Sequence, residues 1–278
     1  MFQVKAMSVE DYPFAVRLAN TMNWNMTTQD LEFAASLEPE GCFVLVKGTE
    51  RVGMVTCISY GSVGWFGNLI VKEEERNKGA GTLLVKRAVN YFYGKGIETV
   101  GLYAYPQIVE FYASKGFERD QDFAVLQIIP THSTEEELAK ITAQNFWAVA
   151  EFDKCCFGWD RRKLLEAIVL AKGNLGYFYS ERGRVVGYVA AKNYGNMVEV
   201  GPLVCQPDRL DVAERLLRCV LGKLEGLRVY LCIPKNETAL VSKLVQLGFA
   251  EKFFVTRMFL GHATTKDCVY LAESLERG

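Results

Sequence analysis

The chain has 278 residues, half of them apolar, with a net charge of −1 and a mean hydropathy of +0.04. That length suggests about two domains, and near-neutral charge leaves no electrostatic footprint for nucleic acid. No run of about 18 apolar residues is present to span a membrane.

Phe2 to Met7 reads as a strand, entered directly from Met1, so no signal peptide is expected. Ser8, with Asp11 three residues on, is a helix N-cap for Phe14, Leu18 and Met22 facing inward. Thr27 or Thr28 caps a second helix through Leu31, Phe33, Ala34 and Leu37, and Pro39-Glu40-Gly41 ends it. Cys42 to Val46, Val52 to Ser59 and Trp65 to Val71 read as three strands. The second is apolar on both faces and therefore central. A helix then runs to Tyr93, with Leu84, Ala88 and Tyr91 on one face, and Gly94 and Gly96 stop it. Thr99 to Tyr103 is a strand and Gln107 to Lys115 a short helix. Gly116 stands where a left-handed C-terminal residue is wanted, and a strand returns from Phe117 to about Ile129. Pro130 to Glu136 reads as a linker, in which Ser133 and Glu136 form a capping box for a new helix.

The eight cysteines are scattered and form no C-x-x-C, and only His132 and His262 could assist them, so no metal site is expected. Cysteines inside apolar strands, such as Cys57 and Cys232, read as small buried hydrophobes in a reducing cytoplasm.

Between the strand ending Leu69-Ile70-Val71 and its following helix lies Arg76-Asn77-Lys78-Gly79-Ala80-Gly81-Thr82. A strand, a glycine-rich turn and a helix N-terminus make an anion site, because the first helical N–H groups lack intrahelical partners. A Walker A loop would need a lysine before Thr82. A dinucleotide fingerprint would need glycine at position 84, which is leucine. The stretch instead resembles the R/Q-x-x-G-x-G/A pyrophosphate loop of the GNAT superfamily of acyl-CoA-dependent N-acetyltransferases. Phe111-Tyr112-Ala113-Ser114-Lys115-Gly116-Phe117 is similar to that family's Tyr-x-x-x-Gly-Phe segment, and the element order matches as well.

The second half repeats the first. Val52-Gly53 matches Val186-Gly187, Leu69-Ile70-Val71 matches Pro202-Leu203-Val204, and Gly116-Phe117 matches Gly248-Phe249. The expected fold is α/β, with two tandem GNAT-like domains over residues 1–130 and 131–278. Each is a mixed, mostly antiparallel sheet flanked by helices. A shift of 133 places Arg209, Val212 and Glu214 against Arg76, Gly79 and Gly81, and Leu244 stands in the place of Tyr112. The second domain is therefore expected to be degenerate.

The resemblance implies acetyl-CoA as donor and a primary amine as acceptor, without a metal. It implies that backbone N–H groups of Asn77 to Thr82 bind the pyrophosphate, with Arg76 and Lys78 adding charge. It implies that Leu69, Ile70 and Val71 meet the pantetheine arm, one N–H polarising the thioester carbonyl, and that Tyr112 is the general acid. An asparagine common in the family is replaced here by Tyr105. No residue declares itself as the base; Glu32 and Glu110 are candidates by position only. Trp24, Tyr60, Trp65 and Phe66 either wall the acceptor side or serve a domain interface. Two functions stay open: a transferase active in the first domain, and a protein binding acetyl-CoA or CoA as a sensor.

Overall fold

The computed structural model describes residues 1–131, 136–262 and 268–278. Contacts divide it into two compact units. The first comprises Met1–Leu102, Leu260–His262 and Arg277. The second comprises Tyr103–Phe259, the described residues of Ala263–Glu276, and Gly278.

In the first unit the strands are β1 (Phe2–Ala6), β2 (Cys42–Lys47), β3 (Glu50–Tyr60), β4 (Val63–Val71) and β5 (Thr99–Ala104). They lie in chain order, antiparallel except for the parallel pair β4–β5. Reciprocal capping boxes open α2 (Thr28–Leu37) and the 3-10 turn Val9–Asp11 that leads into α1 (Tyr12–Asn20). The Asp11 carboxylate accepts from the Ser8 backbone N–H at 2.8 Å, and Asp30 accepts from that of Thr27 at 2.8 Å. Tyr12, Ala15, Leu18 and Leu31 pack on Met54 and Ile70. The neighbours of these strand residues, Gly53 and Val71, point to the opposite face. There α3 (Ala80–Tyr93) lies with Leu84, Val85, Ala88 and Phe92 buried. A Cβ on Gly53 would meet Leu84 at 3.3 Å, and one on Gly64 would strike the Phe92 ring. These two glycines let α3 sit close on the sheet.

Two early expectations change here. Met22 does not face the core, because α1 stops at Asn20 and Met22 lies 39% exposed beyond it. Tyr60, Trp65 and Phe66 are buried rather than forming an open wall. The Tyr60 hydroxyl donates to the Arg277 carbonyl at 2.6 Å.

The second unit contains α4 (Val109–Ala113), β6 (Glu118–Ile128), β7 (Ala139–Lys140), α5 (Phe146–Phe157), α6 (Arg162–Val169), β8 (Leu175–Glu181), β9 (Arg184–Asn193) and β10 (Met197–Cys205). It continues with α7 (Leu210–Leu221), β11 (Arg228–Pro234), α8 (Thr238–Gln246), β12 (Ala250–Leu260) and β13 (Val269–Leu271). Its sheet runs β7-β8-β9-β10-β11-β6-β12, with β13 added to β10. Only β10–β11 is parallel among these pairs.

The anchors Val52-Gly53/Val186-Gly187 and Gly116-Phe117/Gly248-Phe249 have matching geometry, while the counterpart of Val71 is Cys205, one residue beyond the expected Val204. Gly53 opposes Val71 across β3–β4, and Gly187 opposes Cys205 across β9–β10. Lys72 N–H donates to the Val52 carbonyl at 2.8 Å, and Gln206 N–H to that of Val186 at 2.9 Å. Gly116 and Gly248 are both left-handed, with φ of 90° and 98°. Phe117 N–H then reaches the Tyr112 carbonyl, and Phe249 N–H that of Leu244.

Ser133 lies outside the described residues, but its capping partner Glu136 lies within them and starts no helix. The Glu136 carboxylate pairs with Arg215 of α7 instead. Ile141 N–H then bonds the Gly176 carbonyl at 2.8 Å, and helix begins only at Phe146.

All eight cysteines are free, and only Cys155 is exposed. Burial pushes the Cys42 thiol up to about 11, out of the reactive range. A thiol reagent is expected to modify Cys155 quickly in native, freshly reduced protein and all eight thiols after unfolding. Fewer than eight on unfolding would reveal a disulfide.

Candidate active site

The end of β4 separates from β5. The two strands pair only from Val63↔Thr99 to Trp65↔Gly101. Beyond that, β4 keeps β3 as its partner, through Ile70↔Met54 and Val71↔Gly53. A bulge sits in between, where Asn68 and Leu69 stand against Val55 alone. Asn68 takes a left-handed φ of 52°, and its side-chain amide donates to Thr56 Oγ1 at 3.0 Å. A bulge re-aims the main chain, so Leu69, Ile70 and Val71 offer backbone groups on an edge that β5 has left. Asn68 was missed in the sequence; a polar residue after Gly67, inside an apolar run, was the available signal.

Eight residues then connect Val71 to α3. A 3-10 turn spans Glu73–Glu75, and left-handed residues follow at Asn77 (φ 61°) and Gly79 (φ 84°). Gly79 is the N-cap of α3, and its conformation is one that side chains resist. Neither a capping side chain nor an acidic residue occupies the first turn of α3, which opens with Ala80, Gly81 and Thr82. The helix therefore presents N–H groups and the positive end of its dipole without a built-in anion.

The basic side chains brace this loop. Arg76 Nε donates to the Val71 carbonyl at 3.1 Å, and its Nη2 lies 3.9 Å from the Met22 sulfur. Lys78 pairs with Glu75 at 3.4 Å, and Glu75 also accepts from Lys47 at 2.7 Å. The Lys47 ammonium holds the Glu75 carboxyl below the usual range.

The corresponding place in the second unit is built differently. The connection from Cys205 to α7 is four residues, Gln206 to Arg209, against eight in the first unit. A constant shift of 133 therefore fails here. Val212 and Glu214 are not loop residues at all. Val212 lies fully buried in α7, close to where a Gly187 Cβ would stand, and Glu214 pairs with Arg218 and Lys243. Arg209 is the residue at the N-cap, as Gly79 is in α3. Its guanidinium is clamped by Asp211 at 2.8 Å and Glu181 at 2.7 Å. Arg209 holds the Asp211 carboxyl low, and the Val212 N–H adds to this. The N-terminus of α7 thus carries its own carboxylate.

Tyr112 belongs to the second unit. It is buried on α4, with Phe111 and Phe117 in edge-on contact at 5.1 and 6.0 Å. Burial pushes its phenol well above the ordinary tyrosine range, so it carries its proton throughout the physiological range. Glu110 is exposed and pairs with Arg119 at 3.1 Å, while Glu32 is exposed on α2. Tyr105 packs against Phe253 at 5.6 Å.

Among the described residues no helix is long and apolar enough to cross a membrane, and no cluster of potential ligands could hold a metal ion.

The GNAT acetyltransferase family model matches residues 6–117, and a second GNAT acetyltransferase domain model matches 149–271. Holothin acyltransferase of Pseudoalteromonas sp. is 25% identical over 99% of this chain and 94% of its own. The N-acetyltransferase YitH of Bacillus subtilis, itself uncharacterised, is 24% identical over 70% of each chain. A candidate acetyltransferase of Pyrococcus horikoshii has the same fold, with a TM-score of 0.84 at 22% identity, covering 100% of this chain and 96% of that one. A tandem GNAT protein from the clavulanic acid biosynthesis pathway aligns with a TM-score of 0.67 at 14% identity, over 95% of this chain and 100% of its own. The chain belongs to the GNAT acetyltransferase family and carries two such domains in tandem.

Proposed function

We propose that residues 1–130 form an N-acetyltransferase domain that moves an acetyl group directly from acetyl-CoA to a primary amine. Residues 131–278 form the degenerate GNAT-like partner. The observation that carries this reading is the contrast between the two helix starts. The first turn of α3 follows a left-handed glycine and holds no acidic residue, whereas that of α7 holds Asp211, bonded to Arg209.

The pyrophosphate is taken by backbone N–H groups of Asn77, Lys78, Gly79, Ala80, Gly81 and Thr82. Arg76 fixes the end of β4 through the Val71 carbonyl. Leu69, Ile70 and Val71 offer main-chain groups to the pantetheine arm, and an N–H there stabilises the oxyanion as the amine attacks. The amine must first be neutral, since an alkylammonium has a pKa of about 10. Its proton leaves through solvent or a surface carboxylate. The departing CoA thiolate takes a proton from Tyr112, which is held in its protonated form. No metal takes part. Eight cysteines outside disulfides suit a reducing cytoplasm.

The test is release of the CoA thiol from acetyl-CoA in the presence of an amine panel. The panel includes holothin, for which the Pseudoalteromonas relative is named. Transfer to one class of amine is expected. Binding of acetyl-CoA without thiol release for any amine would favour the sensor instead. Tyr112→Phe should slow transfer about 10²-fold with little change in acetyl-CoA affinity. Unchanged turnover would leave Tyr112 a packing residue, with solvent protonating the thiolate.

A further inference from the structure

Both copies open their sheets at the same point, and only one opening is filled. In the first unit β4 leaves β5 after Trp65↔Gly101. In the second, β10 pairs with β11 from Met197↔Arg228 to Val200↔Leu231 and then leaves it. Past Val200, β10 takes a new partner: Leu203 pairs with Leu271 and Val204 with Val269 of β13. The added segment bonds to both walls of the opening. Cys205 N–H donates to the Cys268 carbonyl at 3.0 Å, and Ala272 N–H donates to the Cys232 carbonyl of β11 at 2.9 Å.

The fit is close. Leu271, Glu273 and Ser274 are fully buried, and Ala272 nearly so. Gly201 has no Cβ because one there would collide with the Ala272 carbonyl oxygen. Lys192, itself buried, donates to the Glu273 carbonyl at 2.5 Å and pairs with the Glu273 carboxylate. Lys192 also pairs with Glu199 of β10 at 2.9 Å, and Ser274 Oγ donates to Glu273 Oε2 at 2.7 Å. These contacts are those of strand addition: main-chain bonds supply affinity, and alternate side chains enter pockets.

We propose that the opening between β10 and β11 is a receptor for an extended peptide strand, occupied by this chain's own residues 268–274, and is no longer an acyl-thioester slot. The likeness of the two openings rests on the acyl-CoA reading of the first copy. The strand receptor itself rests on β10, β11 and β13 alone.

The test uses the full chain. In wild type, the amides of Leu271 and Ala272 are expected to exchange with solvent as slowly as those of β10. Leu271→Asp places a carboxylate in a fully buried position and should expel the segment, speeding that exchange by more than about tenfold while leaving the opening intact. A synthetic peptide of residues 268–278 should then bind Leu271→Asp, slow β10 exchange again, and fail to bind wild type. Acetyl-CoA stoichiometry should be the same in both proteins. The proposal is overturned if the wild-type segment exchanges freely, if the opened variant ignores the peptide, or if opening adds a second acetyl-CoA per chain. Should Leu271→Asp fail to fold, the wild-type exchange rates decide. Failure of wild type to bind acetyl-CoA at all would sink the first-copy reading and leave the strand receptor standing.

Discussion

Gly81→Glu is expected to abolish acetyl-CoA binding while leaving the first unit folded. Gly81 is the second residue of α3, in a turn that carries no acidic side chain. A glutamate there faces the positive end of the helix dipole and competes with the pyrophosphate for the same N–H groups. It also repels a dianion across a short distance. Helix propensity favours glutamate over glycine by a few tenths of a kcal/mol or more, and a carboxylate in the first turn adds to α3 stability. Binding and stability should therefore move in opposite directions. Calorimetric titration should show no heat of binding, and thermal unfolding should occur at or above the wild-type temperature. α7 already shows this arrangement, with Asp211 in its first turn. Normal binding by Gly81→Glu would mean that α3 does not hold the pyrophosphate. Glu214→Gly should leave the second copy inert, since Glu214 lies inside α7 and bonds Lys243.

Asp153→Ala is expected to destabilise the second unit by about 3–5 kcal/mol, the range for breaking a buried ion pair by removing one partner. Asp153 and Arg161 are both essentially inaccessible. Arg161 Nε and Nη2 donate to the two carboxylate oxygens at 3.0 and 2.9 Å, and the guanidinium stacks on Phe157 at 3.6 Å. The Tyr188 hydroxyl donates to the same carboxylate at 2.6 Å. Without Asp153 the guanidinium would stay buried without the carboxylate that it pairs with, which costs more than the pair contributes. Denaturant unfolding measures the loss. The paired change Asp153→Leu with Arg161→Met should cost less than Asp153→Ala alone. A loss below about 1 kcal/mol would mean that water reaches the guanidinium in the variant.

The first half of the chain was legible because its signals are local. Ser8–Asp11 and Thr27–Asp30 are capping boxes whose partners lie three residues apart, and both formed. The continuous apolar run in Val52–Ser59 and the glycines at 94, 96 and 116 set strand and helix limits close to those observed. The repeat was legible for the same reason, since its anchors are strand residues and the left-handed glycines that end two helices. What failed depends on distant parts of the chain. Ser133 and Glu136 have the capping-box spacing, but Arg215, far along the chain, takes the Glu136 carboxylate. Val212 and Glu214 were misplaced because a shift of 133 was carried past a four-residue shortening before α7, after an offset of 134 at β9 and β10. Residue type alone could not say that Tyr60, Trp65 and Phe66 are buried. The bulge at Asn68 and the clamp on Arg209 likewise need cross-strand partners that no local pattern displays.

The central claim is that one copy of the fold kept its acyl-CoA site and the other lost it. Titration of wild-type protein with acetyl-CoA tests this most directly. One site per chain is expected, with affinity falling as salt rises, because the pyrophosphate is held largely by charge and helix dipole. Gly81→Glu should remove that site. Two sites per chain, or one site that survives Gly81→Glu unchanged, would contradict the account.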